Sequence, residues 1–271
     1  MMDLITLGKL LNFTENVVRK SGKHIVKMRN ESHIDITYKD VGELVTSADF
    51  ASDQIIREAI LYYYPDHRIL SEENFTSEGN KERFDGPLWI VDPLDGTVNF
   101  AKGLPHFAVL VAFAVDGIVW VGVVHAPEMG ITFTGIRGNG SFFNGKKLQV
   151  SSISKLSESV VGTGFPHDKS QIKSALTRIN NLATSCRDIR RFAAPTIDIC
   201  YVASGLLDAH TESLKYWDVA AAGLIAREAG ATIGHAGKVP DNIPNDLFGE
   251  EIICSTPGIF KELFNLLQKN D

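Results

Sequence analysis

The chain has 271 residues, a hydrophobic content of 44% and a formal net charge of −6. This length and apolar fraction can bury a large core, as one sizeable domain or as two halves that share an interface. A negative net charge without a long basic cluster argues against general affinity for nucleic acids or anionic membrane surfaces. The cysteines, 3 in number and without a Cys-x-x-Cys pair, indicate neither a disulfide framework nor a structural zinc site.

The N-terminal segment is predicted to be an amphipathic helix. Apolar residues recur at helical spacing from Leu4 to Met28, and charged residues interrupt them. The segment therefore has the pattern of neither a signal peptide nor a membrane span. Together with the cysteine pattern, this predicts a cytoplasmic protein that does not engage a membrane.

The rest of the first half is predicted to hold one more helix and then mainly strands. The helix is expected to be capped by Ser47 and to stop before Pro65. Leu88 to Val91 is a short, β-branched apolar run that predicts a buried strand, and Pro93 and Gly96 should end it.

The following strands are predicted to form a hairpin with a neighbour. Residues 107–115 and 118–124 are apolar and β-rich, and Asp116-Gly117 between them is a strong hairpin signal. Residues 131–134 are expected to add an edge strand. Residues 140–146 have the spacing of a phosphate-binding P-loop, but the residue after them is lysine rather than serine or threonine, so a hairpin with an Asn144-Gly145 turn is predicted instead.

The second half is predicted to be mainly helical. The expected elements are a short strand at 159–161, helices at about 171–183 and 195–208, a helix from Asp218 to Gly230, and a closing helix after Pro257. No repeat or flexible linker separates the halves. Residues 1–150 and 151–271 are therefore predicted to be two halves of one continuous compact unit.

Carboxylates stand at the ends of three predicted elements. Asp92 and Asp95 follow the strand at 88–91, Glu72 follows another short apolar run, and Asp218 opens an alanine-rich helix. Two anions as close as Asp92 and Asp95 repel each other unless a cation lies between them. Hard oxygen ligands of this kind suit Mg²⁺, so the pattern indicates a magnesium site.

Each of these positions also has a simpler interpretation. Asp92 to Gly96 can be only a turn, since Asp, Pro and Gly all favour one. Glu72 can be a solvated loop charge, and Asp218 can be the N-cap of its helix. A covalent aspartyl-phosphate mechanism of the haloacid type is not indicated, because its two Asp residues stand two apart, whereas Asp92 and Asp95 stand three apart.

The arrangement resembles the inositol monophosphatase family. The run Val91-Asp92-Pro93-Leu94-Asp95-Gly96-Thr97-Val98-Asn99-Phe100 carries the resemblance, with Glu72-Glu73 before it and Trp217-Asp218-Val219-Ala220-Ala221 after it. Residues 44–49 and 144–148 also match, so the likeness covers almost the whole chain. It implies an α/β (α+β) fold of alternating αβαβα layers, as in inositol monophosphatase and fructose-1,6-bisphosphatase. It also implies a homodimer, with two or three Mg²⁺ ions bound where the halves meet.

Position by position, the resemblance implies a metal site and an activated water. The implied metal ligands are Glu72, Asp92, the carbonyl of Leu94, Asp95 and Asp218. The implied catalytic residues are Glu72 and Thr97, which would position and deprotonate the attacking water, and Asp49 and Thr46, which would support it or hold a third, weaker ion. The implied substrate contacts are Asp95, Gly96, Thr97, Ala193, Glu212 and Asp218.

The function that the resemblance implies is lithium-sensitive hydrolysis of a phosphate monoester by magnesium-activated water. A myo-inositol phosphate is the favoured substrate. The segment 190–196 departs from the Gly-Ser/Thr-Ala stretch of inositol-hydrolysing members, and Pro195 removes an amide there. The 2'-phosphate of NADP(H), fructose 1,6-bisphosphate and other sugar or nucleotide phosphates therefore stay open as substrates. A more remote alternative is a noncatalytic, metal-responsive interaction protein. The expected partner is a small-molecule phosphate monoester, without nucleic acid or membrane.

Overall fold

Five alternating layers of helices and sheets make up the fold. The computed structural model describes residues 2–31, 34–38, 44–74, 84–166 and 168–268. Over these residues, a seven-stranded and a five-stranded sheet lie on either side of a helical layer, and further helices cover their outer faces. This is the αβαβα sandwich that the sequence predicted, and the prediction of fold class is confirmed.

Two helices cover the outer face of the larger sheet. Helix α1 spans Leu4–Glu31 and α2 spans Ser47–Tyr63, and a short ribbon of β1 (Ile36–Tyr38) and β2 (Leu44–Thr46) lies between them along the chain. The N-cap of α2 is Thr46 rather than the predicted Ser47. The Thr46 hydroxyl accepts a hydrogen bond from the amide of Ala48, and the carboxylate of Asp49 accepts one from the amide of Thr46.

The larger sheet is built from strands that are neighbours in sequence. In spatial order they are β3 (Arg68–Ser71), β4 (Pro87–Asp95), β5 (Ala108–Val115), β6 (Ile118–Ala126), β7 (Ile131–Ile136), β8 (Gly140–Phe143) and β9 (Lys146–Lys147). The predicted turns at Asp116-Gly117 and Asn144-Gly145 are confirmed, and all four residues have positive φ. The prediction of an edge strand at 131–134 was wrong, because β8 and β9 extend the sheet beyond β7.

Strand β4 continues beyond the residues where it was predicted to end. It runs through Pro93 to Asp95, and its register against β5 shifts between Asp92 and Asp95. A bulge leaves its extra residue outside the ladder, so a proline without an amide hydrogen is tolerated there. The prediction that Pro93 ends the strand was therefore wrong.

The remaining elements form the middle layer, the second sheet and its outer cover. The short helix α3 (Thr97–Ala101) follows β4; α4 (Ile172–Ser185), α5 (Pro195–Ala203), α6 (Tyr216–Glu228) and α7 (Phe260–Leu267) come later. The five strands are β10 (Val160–Thr163), β11 (Asp188–Arg190), β12 (Ala209–Glu212), β13 (Thr232–His235) and β14 (Ile252–Ser255). Their spatial order is β11-β10-β12-β14-β13. Helices α5 and α6 lie between the sheets, and α4 and α7 cover the outer face.

Two observations concern the second half. Helix α5 ends at Ala203, earlier than the predicted residue 208, because Gly205 with φ 71° turns the chain out of the helix. Helix α6 packs closely on the larger sheet, since a Cβ on Gly122 would lie only 2.8 Å from the carbonyl oxygen of Ala221.

The division of the chain at residue 150 stays a prediction. Within the described ranges, none of the helices has the length and apolarity needed to cross a membrane.

Candidate metal centre

The bulge in β4 brings Asp92 and Asp95 to the same face of the sheet. Residues three apart in a regular strand point to opposite faces. Here Asp92 lies opposite Leu110 and Asp95 lies opposite Ala108, so three steps along β4 match two along β5. Leu110 and Ala108 both pack in the core beside α5 and α6. The bulge therefore directs both carboxylates toward the middle layer.

Helix α6 brings a third carboxylate to this place. One carboxylate oxygen from each of Asp92, Asp95 and Asp218 lies within 4.8 Å of the others. Asp218 is in the first turn of α6, and its Oδ2 accepts a hydrogen bond of 2.8 Å from the amide of Lys215. The N-cap position itself belongs to Lys215, so Asp218 stabilises the helix start and still faces the other two carboxylates.

The electrostatics of this cluster favour a bound cation. Burial raises the pKa of Asp92 well above its ordinary value, and the charges of Glu72, Asp95 and Asp218 raise it further. Burial and then the charge of Asp218 likewise raise the pKa of Asp95. A divalent cation would offset both the desolvation and the mutual repulsion. The residues present therefore suit a hard divalent metal ion.

Glu72 belongs to the same electrostatic group. It follows β3 in a short 3₁₀ turn. After burial, the charge of Glu72 does most to raise the pKa of Asp92. The turn is held from α2 by Asp53, whose carboxylate accepts hydrogen bonds from the Ser71 hydroxyl and, at 2.8 Å, from Nδ2 of Asn74. Sequence reasoning missed Asp53. Its role is recognised from its buried position on α2 in the structure.

Thr97 links the end of β4, next to the acidic cluster, to Asp49. Its hydroxyl oxygen lies 3.0 Å from the carbonyl oxygen of Leu94 and 3.2 Å from Oδ1 of Asp49. The other oxygen of Asp49 accepts hydrogen bonds from the amide and the hydroxyl of Thr46, at 2.7 and 2.6 Å. Burial raises the pKa of Asp49 to about 6, against the effect of these donors. The structure thus brings together Thr46, Asp49, Leu94 and Thr97.

Gly96 lies where the chain can accept only glycine. Its φ is 80°, and a Cβ there would lie 2.7 Å from the carbonyl oxygen of His106 and 3.3 Å from the Cβ of Ala194. Ala193, next to Ala194, also has a positive φ of 60°. The predicted substrate contacts Gly96 and Ala193 are therefore close neighbours, although they are distant in sequence.

Glu212 lies in a second polar cluster at the end of β12. Its carboxylate occupies space left by Gly164, where a Cβ would lie 2.0 Å from Oε1. Burial raises the pKa of Glu212, and electrostatic interactions with His210, Arg178 and Arg191 oppose that rise. Its assignment as a substrate contact stays a prediction.

Thr196 is a further residue that sequence reasoning missed. Its backbone amide donates a hydrogen bond of 3.0 Å to Oδ2 of Asp95, and its hydroxyl donates to the same oxygen. Pro195 at the first position of α5 marked a helix start. The free amide directly after that proline is the signal for an anion contact.

The chain belongs to the inositol monophosphatase family, whose model matches residues 7–270. The resemblance seen in the sequence is thereby confirmed. Membership in a family of metal-dependent phosphatases supports the hydrolase class and a divalent metal cofactor.

Individual relatives carry two kinds of name. Nus factor SuhB of Pasteurella multocida is 37% identical over 270 residues, which are 97% of each chain. Inositol monophosphatase 1 of Solanum lycopersicum is 31% identical and covers 98% of this chain and 97% of its own. The crystal structure of extragenic suppressor protein SuhB from Bartonella henselae matches with a TM-score of 0.86 and 31% identity, over 96% of this chain and 99% of that one.

Proposed function

We propose that the protein is a magnesium-dependent phosphate monoester hydrolase and that a myo-inositol phosphate is its substrate. One observation carries the proposal: the buried carboxylates of Asp92 and Asp95 and the partly buried carboxylate of Asp218 approach within 4.8 Å of one another beside Gly96 and Thr97. Such a cluster is unfavourable without a cation. Its oxygen donors are those that magnesium prefers.

The metal-binding part of the site would consist of five donors. They are the carboxylates of Glu72, Asp92, Asp95 and Asp218 and the carbonyl of Leu94. Bound magnesium would neutralise the phosphoryl oxygens, lower the pKa of the attacking water and stabilise the leaving alkoxide. Two or three ions are proposed, since Asp49 and Thr46 adjoin the same site through Thr97.

Thr97 would orient the attacking water. Its hydroxyl hydrogen points to the oxygens of Asp49 or Leu94, so its lone pairs can accept a hydrogen bond from water. Glu72 would take the proton that this water loses, since its charge acts on Asp92 strongly enough to raise the pKa of that carboxyl. The backbone amides of Gly96 and Thr97 would contact the phosphate.

The remaining proposed contacts are with the alcohol part of the substrate, which carries the phosphate. Ala193, Glu212 and Asp218 would bind the hydroxyls of the alcohol. A relative named inositol monophosphatase 1 supports a polyol phosphate. Pro195 has no backbone amide hydrogen to offer to a substrate in this part of the site. NADP(H) 2'-phosphate, fructose 1,6-bisphosphate and other sugar or nucleotide phosphates are therefore alternative substrates.

A noncatalytic role is the second candidate, because several relatives are named Nus factor SuhB. Retention of the whole acidic set favours catalysis over this candidate. Expectations of lithium sensitivity, a homodimer, a cytoplasmic location and no nucleic-acid partner stay predictions.

Phosphate release from a panel of esters would test the proposal. The panel contains inositol 1-phosphate, fructose 1,6-bisphosphate, NADP and 4-nitrophenyl phosphate, each with Mg²⁺ and with chelator. We expect turnover that requires Mg²⁺ and is fastest with inositol 1-phosphate. Turnover that is undiminished in chelator, or in the Asp95→Asn variant, would refute the metal mechanism. Absence of turnover on every ester would favour the noncatalytic candidate.

A further inference from the structure

A buried histidine lies between two carboxylates behind the proposed substrate site. His210 is fully buried in β12, with its Nδ1 at 3.4 Å from Oδ2 of Asp198 and its Nε2 at 3.7 Å from Oε2 of Glu212. Asp198 comes from α5, where it is also buried. The three residues therefore form an ordered row from the helix to Glu212.

Two glycines of the neighbouring strand make room for this row. Gly162 of β10 is the register partner of His210, and a Cβ there would lie 3.0 Å from Nδ1 of His210 and 3.2 Å from Oδ2 of Asp198. A Cβ on Gly164 would lie 2.0 Å from Oε1 of Glu212. Side chains at either position would displace the ring or the carboxylate.

The row has unused hydrogen-bonding capacity. Within the described residues, both ring nitrogens of His210 and Oδ1 of Asp198 are buried without a partner at hydrogen-bond geometry. Leaving buried polar atoms unpaired costs about 1–3 kcal/mol each. Hydrogen bonds at enzyme sites are often long without substrate and shorten when it binds. Binding of a hydroxyl by Glu212 would therefore shorten the contact between Glu212 and His210, and with it the contact between His210 and Asp198.

We propose that His210 is a positioning residue, which orients the Glu212 carboxylate to bind the hydroxyls of a polyol phosphate. The Nε2 of His210 faces the Glu212 carboxylate at 3.7 Å, and a carboxylate accepts hydrogen bonds, so a proton on Nε2 would be donated toward Glu212 when the two groups approach. The surrounding groups are Asp198 from α5, Glu212 on the same strand, and the Cys254 thiol opposite His210 on β14. Arg178 and Arg191 act on Glu212 from further away. The inference rests on the proposed function.

Steady-state kinetics on two substrates would test this role. Inositol 1-phosphate has hydroxyls beside the phosphate, whereas 4-nitrophenyl phosphate has none. For His210→Phe, which keeps a ring of similar shape without nitrogens, we expect KM for inositol 1-phosphate to rise ~10-fold, the equivalent of one lost hydrogen bond to a charged group. We expect its kcat, and both constants for 4-nitrophenyl phosphate, to change less than about twofold, since Glu212 takes no part in the chemical step.

Three further variants separate positioning from folding. His210→Gln keeps a donor and should restore part of the lost affinity, and Asp198→Asn should raise the same KM. Combined with Glu212→Gln, the His210→Phe change should have no further effect on KM, because the coupling partner is already altered. If His210→Phe fails to fold, His210→Gln and Asp198→Asn provide the same comparison.

Nitrogen NMR of the labelled protein in chelator gives a readout that does not depend on activity. A proton on Nε2 of His210 would support donation to Glu212, and an Nε2 without a proton would contradict it. Equal losses on both substrates, or an unchanged KM for inositol 1-phosphate, would overturn the positioning role. Failure of the wild type to hydrolyse either ester would instead refute the proposed function.

Discussion

The backbone amide of Thr196 and its hydroxyl both donate hydrogen bonds to Oδ2 of Asp95. Asp95 ends β4 of the larger sheet, whereas Thr196 is the second residue of α5 in the middle layer. The contact holds the Asp95 carboxylate, which also contributes one oxygen to the cluster with Asp92 and Asp218. Residues from two distant parts of the chain thus set the position of a single proposed ligand.

Removal of the Thr196 hydroxyl should weaken metal binding. In Thr196→Val the amide still holds Asp95, but one of two donors is lost, and such supporting contacts change metal affinity by ~10- to 100-fold. We expect the Mg²⁺ concentration for half-maximal activity to rise by at least ~10-fold. Thr196→Ser keeps the hydroxyl and should resemble the wild type. An unchanged Mg²⁺ requirement in Thr196→Val would contradict the supporting role.

Neutral replacements of the proposed ligands should abolish most activity. Asp95→Asn and Glu72→Gln keep the side-chain shape but remove a ligand charge, so each should lower kcat by ~100-fold or more. Asp85→Asn is the matched control, because Asp85 is exposed and lies 3.6 Å from Arg68. Initial rates at saturating Mg²⁺ would measure the effect. Similar losses at Asp85 and Asp95 would place the site elsewhere.

Local sequence signals predicted much of the fold because they depend on neighbouring residues. The turns at Asp116-Gly117 and Asn144-Gly145 need positive φ, and their residue types indicate it directly. The grouping of acidic residues at element ends was likewise visible from Asp92 and Asp95. Such features require no knowledge of what packs against them.

Features that depend on distant contacts were not predictable in the same way. The bulge in β4 is defined by its register against Leu110 and Ala108, which the sequence of β4 alone does not contain. The contact of Thr196 with Asp95 and the row from Asp198 to Glu212 likewise join separate elements. Five layers were inferred from family resemblance rather than from periodicity, since periodicity identifies elements but not their packing.

Magnesium should stabilise the protein, most strongly at neutral pH. The pKa values of Asp92 and Asp95 are raised above an ordinary value of 3.8, so the unfolded chain ionises at lower pH than the folded one. The stability from these carboxyls is fully present below pH ~4 and is lost as pH rises through the higher folded values. In chelator we therefore expect the melting temperature to fall with rising pH, and saturating Mg²⁺ should reverse the fall.

The variant Asp92→Asn isolates this effect. Its side-chain oxygen can still accept the hydrogen bond that Oδ1 of Asp92 receives from the amide of Leu94 at 3.0 Å. Without the buried charge, the variant should melt at a higher temperature than the wild type in chelator at pH 7, and it should gain less from Mg²⁺. A variant that is less stable than the wild type under these conditions would contradict the electrostatic account.

His125 should make the fold sensitive to acid. Its Nδ1 lies 2.9 Å from the Thr132 hydroxyl, and burial, followed by the charge of Arg19, lowers its pKa to about 4. The neutral ring is thus favoured in the folded state. Its stabilising contribution is present above pH ~6.5 and is lost as pH falls toward about 4, by on the order of 3 kcal/mol.

Thermal unfolding between pH 4 and 7 would measure this dependence. His125→Gln cannot titrate and should show a flatter stability profile, whereas His24→Gln, which alters an exposed histidine on α1, should keep the slope of the wild type. Parallel profiles for the wild type and His125→Gln would mean that other groups cause the acid sensitivity.

Hydrolysis should proceed by direct attack of water on phosphorus. The rival is a covalent route through Asp92 or Asp95, since carboxylates can act as nucleophiles. Both side chains are nearly inaccessible, at 1% and 6% exposure, and each has an oxygen engaged by a backbone amide, of Leu94 or Thr196. A carboxylate held in this way suits metal ligation better than movement toward phosphorus. We therefore expect inversion at phosphorus, read with a chiral phosphate ester in isotopically labelled water, and no burst of alcohol before phosphate. Retention of configuration, or a trapped aspartyl-phosphate at either residue, would overturn their assignment as ligands and favour the haloacid-type mechanism.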